Sequence, residues 1–487
     1  MQAKNILYMI VFGLVLTGCN EFLDLEPISE ETTEVGYDKE GQIEAALTGA
    51  YESFQASQYY AWDKVLFQDI RSDNHYAGGD NPEIFQFDWL TVSNTNSRLF
   101  EDWSNLYNAI AKANVVLERA PLVTDPALTE TRRGQIMGEA YFLRAYHHYT
   151  LVTTWGDVPI MTAFTSSTDP EEIRPSKSTQ EEVYDQIIED LELAIDLLPD
   201  TYGSDASVNK ARATAGAANA LAAKASLQRP NKDYQAALDY IAAVEASGAN
   251  YRLISYDHLF DGNHYNNDES ILEVQYLGGA EGNWGPQMHL PPSISGDGWR
   301  KFTTPSHDLI DAYAAEGDNV RQNATVLFEA VSWVDEFWGN TPGSSIPFAY
   351  KWKNADGWAS ADRFYLLRFG DVVLLKAEAL AGLNRLAEAV TEVNRIRNRA
   401  GLGALTAADQ ASQAAMMTAI LKERRLELAQ EGQRWDDLVR FGEAVSTMSN
   451  LVEIDLRTGQ AFDYPMDASK IFLPIPQEEL DRNPNLN

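Results

Sequence analysis

From residue 41 onward, apolar side chains return every three to four positions in one segment after another. That period commits the chain to helices packed on helices. Ile43, Leu47, Ala50 and Phe54 open the series, and Trp103, Leu106, Tyr107, Ile110, Ala113 and Leu117 line the next strong face. Ile136, Ala140, Arg144, Ala145, His148 and Leu151 predict a helix over residues 131–155, and Val183, Ile187, Leu191 and Ala194 predict another over 180–198. Pro121, Pro159 and Pro199 follow these segments, where a ring without an N–H stops a helix. The alanine-rich stretch 211–228 and residues 233–247 read as a close-packed pair, since alanine lets two backbones approach. The last third returns to the same pattern over 368–381, 386–400 and 415–428.

The expected class is therefore all-α. Its repeating unit is a helix pair of about 35 residues, similar to tetratricopeptide-type stacking, although no repeat carries the full consensus. Two stretches break the rhythm. Residues 71–82 have no apolar period and many turn formers. Residues 251–363 alternate like a short strand over 270–276, then become rich in glycine and proline around Trp284, with Trp299, Trp333, Trp338 and Trp358 beyond. Loops held by a rigid scaffold are where binding residues collect.

Aromatics are the informative excess of the composition: 11 Trp, 22 Tyr and 19 Phe. Several of the tryptophans fall in glycine- and asparagine-rich segments and not on periodic faces. A flat indole or phenol covers the apolar face of a sugar ring, while Asp, Asn, Arg or Gln beside it satisfies the hydroxyls. Two stretches offer both ingredients. They nominate Asp73, Asn74, His75 and Tyr76 in the first, and Trp284, Trp299 and Arg300 in the second.

Cys19 is the one cysteine of 487 residues, which excludes an internal disulfide and a cysteine-based metal cluster. It follows Lys4, the apolar run 6–16 and the tetrad Leu16-Thr17-Gly18-Cys19. A cationic start, a short apolar core and a small-residue cleavage site make a secretory signal peptide. The run is shorter than the about 20 residues a membrane span needs. The small-small-Cys ending resembles a bacterial lipobox, which makes Cys19 the expected acylated residue. The alternative is a free cysteine in an ordinary signal peptide.

Catalytic signatures are missing. There is no GxSxG, no GxxxxGK[ST] and no HExxH. His147 and His148 are adjacent, so they point to different helix faces and read as packing residues. Residues 261–269 place oxygen donors at alternate positions but lack the glycine and distal glutamate of a calcium loop, and read as a polar turn before a strand. Glu423 and Glu427 lie among Arg424 and Arg425 and read as a solvated ion-pair network. A net charge of −34, from 72 acidic and 38 basic residues, repels phosphate backbones and argues against nucleic acid. No metal, cofactor or catalytic residue is expected.

Five blocks in order carry a further resemblance. They are Trp103-Ser104-Asn105-Leu106-Tyr107-Asn108; Glu139-Ala140-Tyr141-Phe142-Leu143-Arg144-Ala145 with Trp155-Gly156-Asp157-Val158-Pro159; Arg368-Phe369-Gly370-Asp371 leading to Val393-Asn394-Arg395-Ile396-Arg397; Lys422-Glu423-Arg424-Arg425-Leu426-Glu427 with Gln433-Arg434-Trp435-Asp436-Asp437; and Leu473-Pro474-Ile475-Pro476 with Asn483-Pro484-Asn485-Leu486. Together with Cys19-Asn20-Glu21-Phe22-Leu23-Asp24, they make the chain similar to the SusD/RagB family of surface nutrient-binding lipoproteins. Gly370 stands where that family often has alanine.

The resemblance implies an all-α body with tetratricopeptide-like helix pairs and an irregular subdomain containing short strands. Its expected divisions are a signal peptide over 1–18, a tether over 19–40, a helical region over 41–250, a loop-rich ligand-binding subdomain over 251–363 and a helical region over 364–487. It implies Glu378, Asn394 and Arg397 as internal polar partners and Trp435 as a core anchor. Ligand contacts in the family come from variable loops. The implied function is non-catalytic capture of an oligosaccharide or polysaccharide at the outer-membrane surface and its delivery to a SusC-like TonB-dependent transporter. Membrane contact would run through the lipid alone. Capture of another nutrient such as a peptide, or a surface glycosidase, are the alternatives.

Overall fold

A computed structural model describes residues 37–487 apart from 57, 165–166, 168, 170–172, 336–337, 456–459 and 463. Cys19, the signal peptide and most of the tether lie outside the described residues. Helices of ten or more residues are α1 (Glu40–Tyr51), α2 (Ser97–Arg119), α3 (Glu130–Trp155), α4 (Gln180–Leu197), α5 (Ala215–Gln228), α6 (Tyr234–Ala246), α7 (His307–Glu316), α8 (Phe369–Gly382), α9 (Leu386–Arg399) and α10 (Gln413–Leu428). The fold is predominantly helical, as the periodicity predicts.

Local chemistry starts and stops these helices where the sequence places its signals. Asn96, Thr129, Thr179 and Ser412 each accept a hydrogen bond from a first-turn N–H of α2, α3, α4 and α10. Thr179 and Glu182 complete a reciprocal capping box. Gly156, at φ +76°, ends α3.

Successive helices pack as neighbours: α1 on α2, α2 on α3, α3 on α4, α4 on α5 and α5 on α6. The array then skips 251–363, because α6 packs directly on α8, α8 on α9, and α10 on both α8 and α9. α5 lies at the centre, buried from Gly216 to Leu227, and its alanines let α4, α6 and α8 close around it. His147 and His148 are buried within α3, where burial pushes both imidazoles down to about 3. They are packing groups.

The irregular part is thus an insertion between α6 and α8, and short sheets fasten it. β1 (His75–Ala77) pairs antiparallel with β3 (Thr303–Pro305), setting Tyr76 against Thr304. β2 (Ser270–Val274) pairs with β6 (Phe364–Arg368) and closes the neck of the insertion just before α8. β4 (Val326–Ala330) and β5 (Ser345–Ala349) form a further antiparallel pair within it.

Below that neck lies a buried ionic hub. Arg368 reaches Glu431 at 2.6 Å, and Glu269 and Glu427 at 2.8 Å each. Arg399 pairs with Glu269 at 2.7 Å and also with Glu427, and Arg321 pairs with Glu423 at 2.7 Å. Glu423, Arg424 and Glu427 have no exposed surface, which corrects the expectation of a solvated network. Burial opposes ionisation of Glu427, but Arg399, Arg368 and Arg321 outweigh it and hold the carboxyl down at about 2. An unpaired charge cannot remain in such an interior, so each partner fixes the next. The hub explains Gly370. A Cβ there would overlap Arg368 Nη1 and come within 2.6 Å of Glu269 Oε1. Glu378, Asn394 and Arg397 bond Arg440, the Leu405 N–H and Glu423 respectively. Trp435 is buried, beneath the Arg71 guanidinium.

Candidate functional site

The first nominated stretch is interior. Asp69, at the end of a π-helical turn (Leu66–Ile70), accepts the Gln430 and Gly432 N–H groups. Asp73 is gripped by Arg434 and lies 3.3 Å from Arg425. Asn74 bonds both Asp69 and Arg425, and His75 faces Gln430. The Tyr76 hydroxyl donates to Asp335 at 2.8 Å. All four nominees are at most 3% exposed. This removes Asp73, Asn74, His75 and Tyr76 from the ligand-contact set. Asp73 and Asn74 serve two buried arginines, His75 meets the Gln430 side chain and Tyr76 meets Asp335, uses that composition alone does not distinguish from a binding loop.

The second stretch divides. Trp284 is half-buried against the main helical core and precedes a short turn of helix (Gly285–Met288). It acts as a plug. Trp299 and Arg300 are half-buried as well. Trp299 lies beside Phe302, ring centroids 5.5 Å apart, and the Lys301 ammonium sits 3.7 Å from its ring centroid. Burial pushes Lys301 down to about 8, while Asp297 acts to raise it. Lys301 Nζ donates to the Gln287 carbonyl at 3.1 Å, and the Gln287 amide bonds Asp297. Trp299 is thereby held by groups whose own partners are fixed.

A second indole completes the surface. Trp358 stacks on Trp299 with centroids 6.4 Å apart and planes 24° from parallel. It is 47% exposed. Asp356, Gly357 and Trp358 have φ of +45°, +62° and +77°, a run in the left-handed region that a bulky side chain rarely enters. Such backbone persists where the surroundings enforce it, and it collects at binding sites. Here Ser360 exchanges backbone hydrogen bonds with Asn283, fastening the Trp358 loop to the strip of chain just before Trp284. Sequence reasoning left Trp358 out of the site. The Asp-Gly turn directly before it was the available signal.

The two nominated stretches do meet, through β1 and β3. Gly78 N–H donates to Phe302 O at 3.2 Å, and a Cβ on Gly78 would overlap Lys301 O. Gly79, at φ +75°, leaves its side-chain space to the Phe302 ring. Asp80 follows, exposed. The surface thus carries two stacked indoles, with Arg300 on the same segment. Two flat rings in series can cover the apolar faces of a bound chain, and the polar groups can meet its rim.

Comparison with known proteins agrees with this architecture. A family model described as "Starch-binding associating with outer membrane" matches residues 21–227, and one described as "SusD family" matches 338–487. A SusD-like protein of Formosa agariphila is 27% identical over 98% of this chain and 97% of its own. The crystal structure of a SusD superfamily protein from Bacteroides vulgatus superposes with a TM-score of 0.77 at 24% identity, covering 93% of this chain and 98% of that one. A structure named as a laminarin-binding SusD-like protein superposes with a TM-score of 0.73 at 28% identity, covering 92% and 98%. By its sequence blocks, its helical array and these matches, the chain belongs to the SusD/RagB family.

Proposed function

We propose that this protein captures a glycan at the outer-membrane surface without transforming it, and passes it to a SusC-like TonB-dependent transporter. The observation that carries the reading is the Trp299–Trp358 pair, whose outer member Trp358 sits on left-handed backbone. The laminarin-binding relative and the starch-binding description of the matching family support a carbohydrate as the ligand. Trp299, Trp358 and Arg300 are the proposed contacts. Asp297, on the Trp299 segment, is engaged by Gln287 and Lys301. Such capture requires no cofactor. Cys19 is the proposed acylation site, and a lipid there would hold the binder beside the transporter and raise the local ligand concentration.

Affinity electrophoresis of the soluble body in gels containing laminarin, starch and other polysaccharides tests the reading. At least one polysaccharide is expected to retard migration, with no reducing sugar released on incubation. Unretarded migration in every gel, or release of reducing sugar, contradicts it.

A further inference from the structure

The turn that precedes β2 has a chemistry the glycan site does not use. His258 lies on a short helix (Tyr256–Leu259) whose Tyr256 and Leu259 are buried, and both His258 and His264 are exposed. Their imidazoles stand face to face, centroids 3.8 Å apart and planes 7° from parallel. Asp261 lies between them in sequence. Its Oδ1 accepts the Asn263 N–H at 2.8 Å and the His264 N–H at 3.1 Å, so the turn fixes the carboxylate. Its Oδ2 is left facing His264 Nδ1 at 2.6 Å. One donor atom from each of His258, Asp261 and His264 falls within 4.8 Å of the other two.

From this arrangement we propose that His258, Asp261 and His264 form a surface site for a zinc-class divalent cation. Two imidazoles and one carboxylate are the donor set that borderline-soft first-row ions prefer, and a calcium site would be built from oxygens. Metal bonds of about 2.0–2.2 Å set donors on one tetrahedral ion roughly 3.3–3.5 Å apart, so His264 Nδ1 draws back slightly from Asp261 Oδ2 to admit the ion between them. The main movement needed is for exposed His258 to leave its stack on His264 and turn a ring nitrogen toward the carboxylate, which is already fixed by its turn. Binding exchanges the Asp261–His264 hydrogen bond for bonds from both groups to the ion, with His264 bound as the neutral imidazole whose one N–H is on Nε2.

The site has a structural consequence. Tyr265 donates to Asp362 Oδ1 at 2.9 Å, and the Asn354 N–H donates to Asp362 Oδ2 at 2.7 Å. Asp362 thus joins the metal-site turn to the base of the loop that carries Trp358. A cation there braces that loop from behind.

Isothermal titration of the tag-free protein with zinc chloride tests the site directly, without any glycan. One saturating equivalent is expected, with a rise in Tm on addition of zinc. His258→Ala, His264→Gln and Asp261→Asn are each expected to weaken binding at least about tenfold. Asp261→Asn keeps the oxygen that accepts the turn N–H groups, so its loss of zinc separates coordination from folding. His307→Ala, at another exposed histidine, is expected to bind as wild type. No saturable zinc binding, full binding in the three variants, or calcium binding as tightly as zinc overturns the proposal.

Discussion

Arg434 holds Asp73 through two parallel hydrogen bonds, Nε to Oδ1 and Nη2 to Oδ2, each 2.8 Å long. One partner belongs to the loop before β1, and the other opens the helix Arg434–Arg440 near the far end of the chain. Bidentate geometry of this kind is both strong and directional. One of the two loops with a ligand-binding composition is therefore part of the interior joining the two ends of the helical array.

Asp73→Ala is expected to cost about 3–5 kcal/mol of unfolding free energy, because it strands Arg434 in the interior. Urea unfolding measures the loss. At a temperature where the variant stays folded, polysaccharide affinity is expected to match wild type, since the Trp299–Trp358 surface is separate. The pair also carries a pH signature. Burial works to raise the Asp73 pKa, but Arg425 and Arg434 prevail and hold it down to about 2. A depressed folded pKa gives stability that is complete above the unfolded value of about 3.9. That stability is lost as the pH falls from about 4 toward 2.

The helices were legible because a 3.6-residue apolar period and capping residues are local properties. α3 spans 130–155 against an expected 131–155, and α4 spans 180–197 against 180–198. The fate of polar loops was not legible. Asp73 and Asn74 have the composition of a binding loop, yet their partners Arg425 and Arg434 lie some 350 residues away. Glu427 failed for the same reason, since only the fold brings Arg321, Arg368 and Arg399 around it. Trp299 was nominated by its glycine-rich setting. Trp358 was missed because its exposure depends on left-handed backbone and on the stack with Trp299.

Gly370→Ala, although alanine is common at this place in the family, is expected to destabilise this chain by about 1–3 kcal/mol. The added methyl collides with the Arg368 guanidinium and crowds Glu269 in the buried hub. Thermal unfolding of the single variant checks the cost. An unchanged Tm would mean that the hub is looser than its geometry.

A buried acid pair gives the opposite pH dependence. Burial pushes Asp63 up to about 6, with Arg98 opposing, and raises Asp102 further, with Asp63 adding to the shift. A raised folded pKa means that this pair costs stability as the pH rises. Asp102→Asn removes that cost. The variant is expected to be more stable than wild type at about pH 8, with an advantage that shrinks toward about pH 5, where Asp63 and Asp102 share protons. Equal pH dependence of the two proteins would contradict the assignment.

Cys19→Ala is expected to release the protein from the membrane fraction of cells while leaving the polysaccharide affinity of the purified body unchanged. Fractionation with immunoblotting separates the two properties. Retention of the variant in the membrane fraction would rule out Cys19 as the anchor.

The stacked indoles are the proposed contacts with the glycan. The most direct measurement is the affinity of Trp299→Ala and Trp358→Ala for a polysaccharide that binds wild type, read by affinity electrophoresis beside Trp284→Ala. Each platform variant is expected to weaken binding about tenfold or more, equivalent to about 1.4 kcal/mol, while Trp284→Ala binds as wild type if it remains folded. Wild-type retardation of both Trp299→Ala and Trp358→Ala would contradict the account.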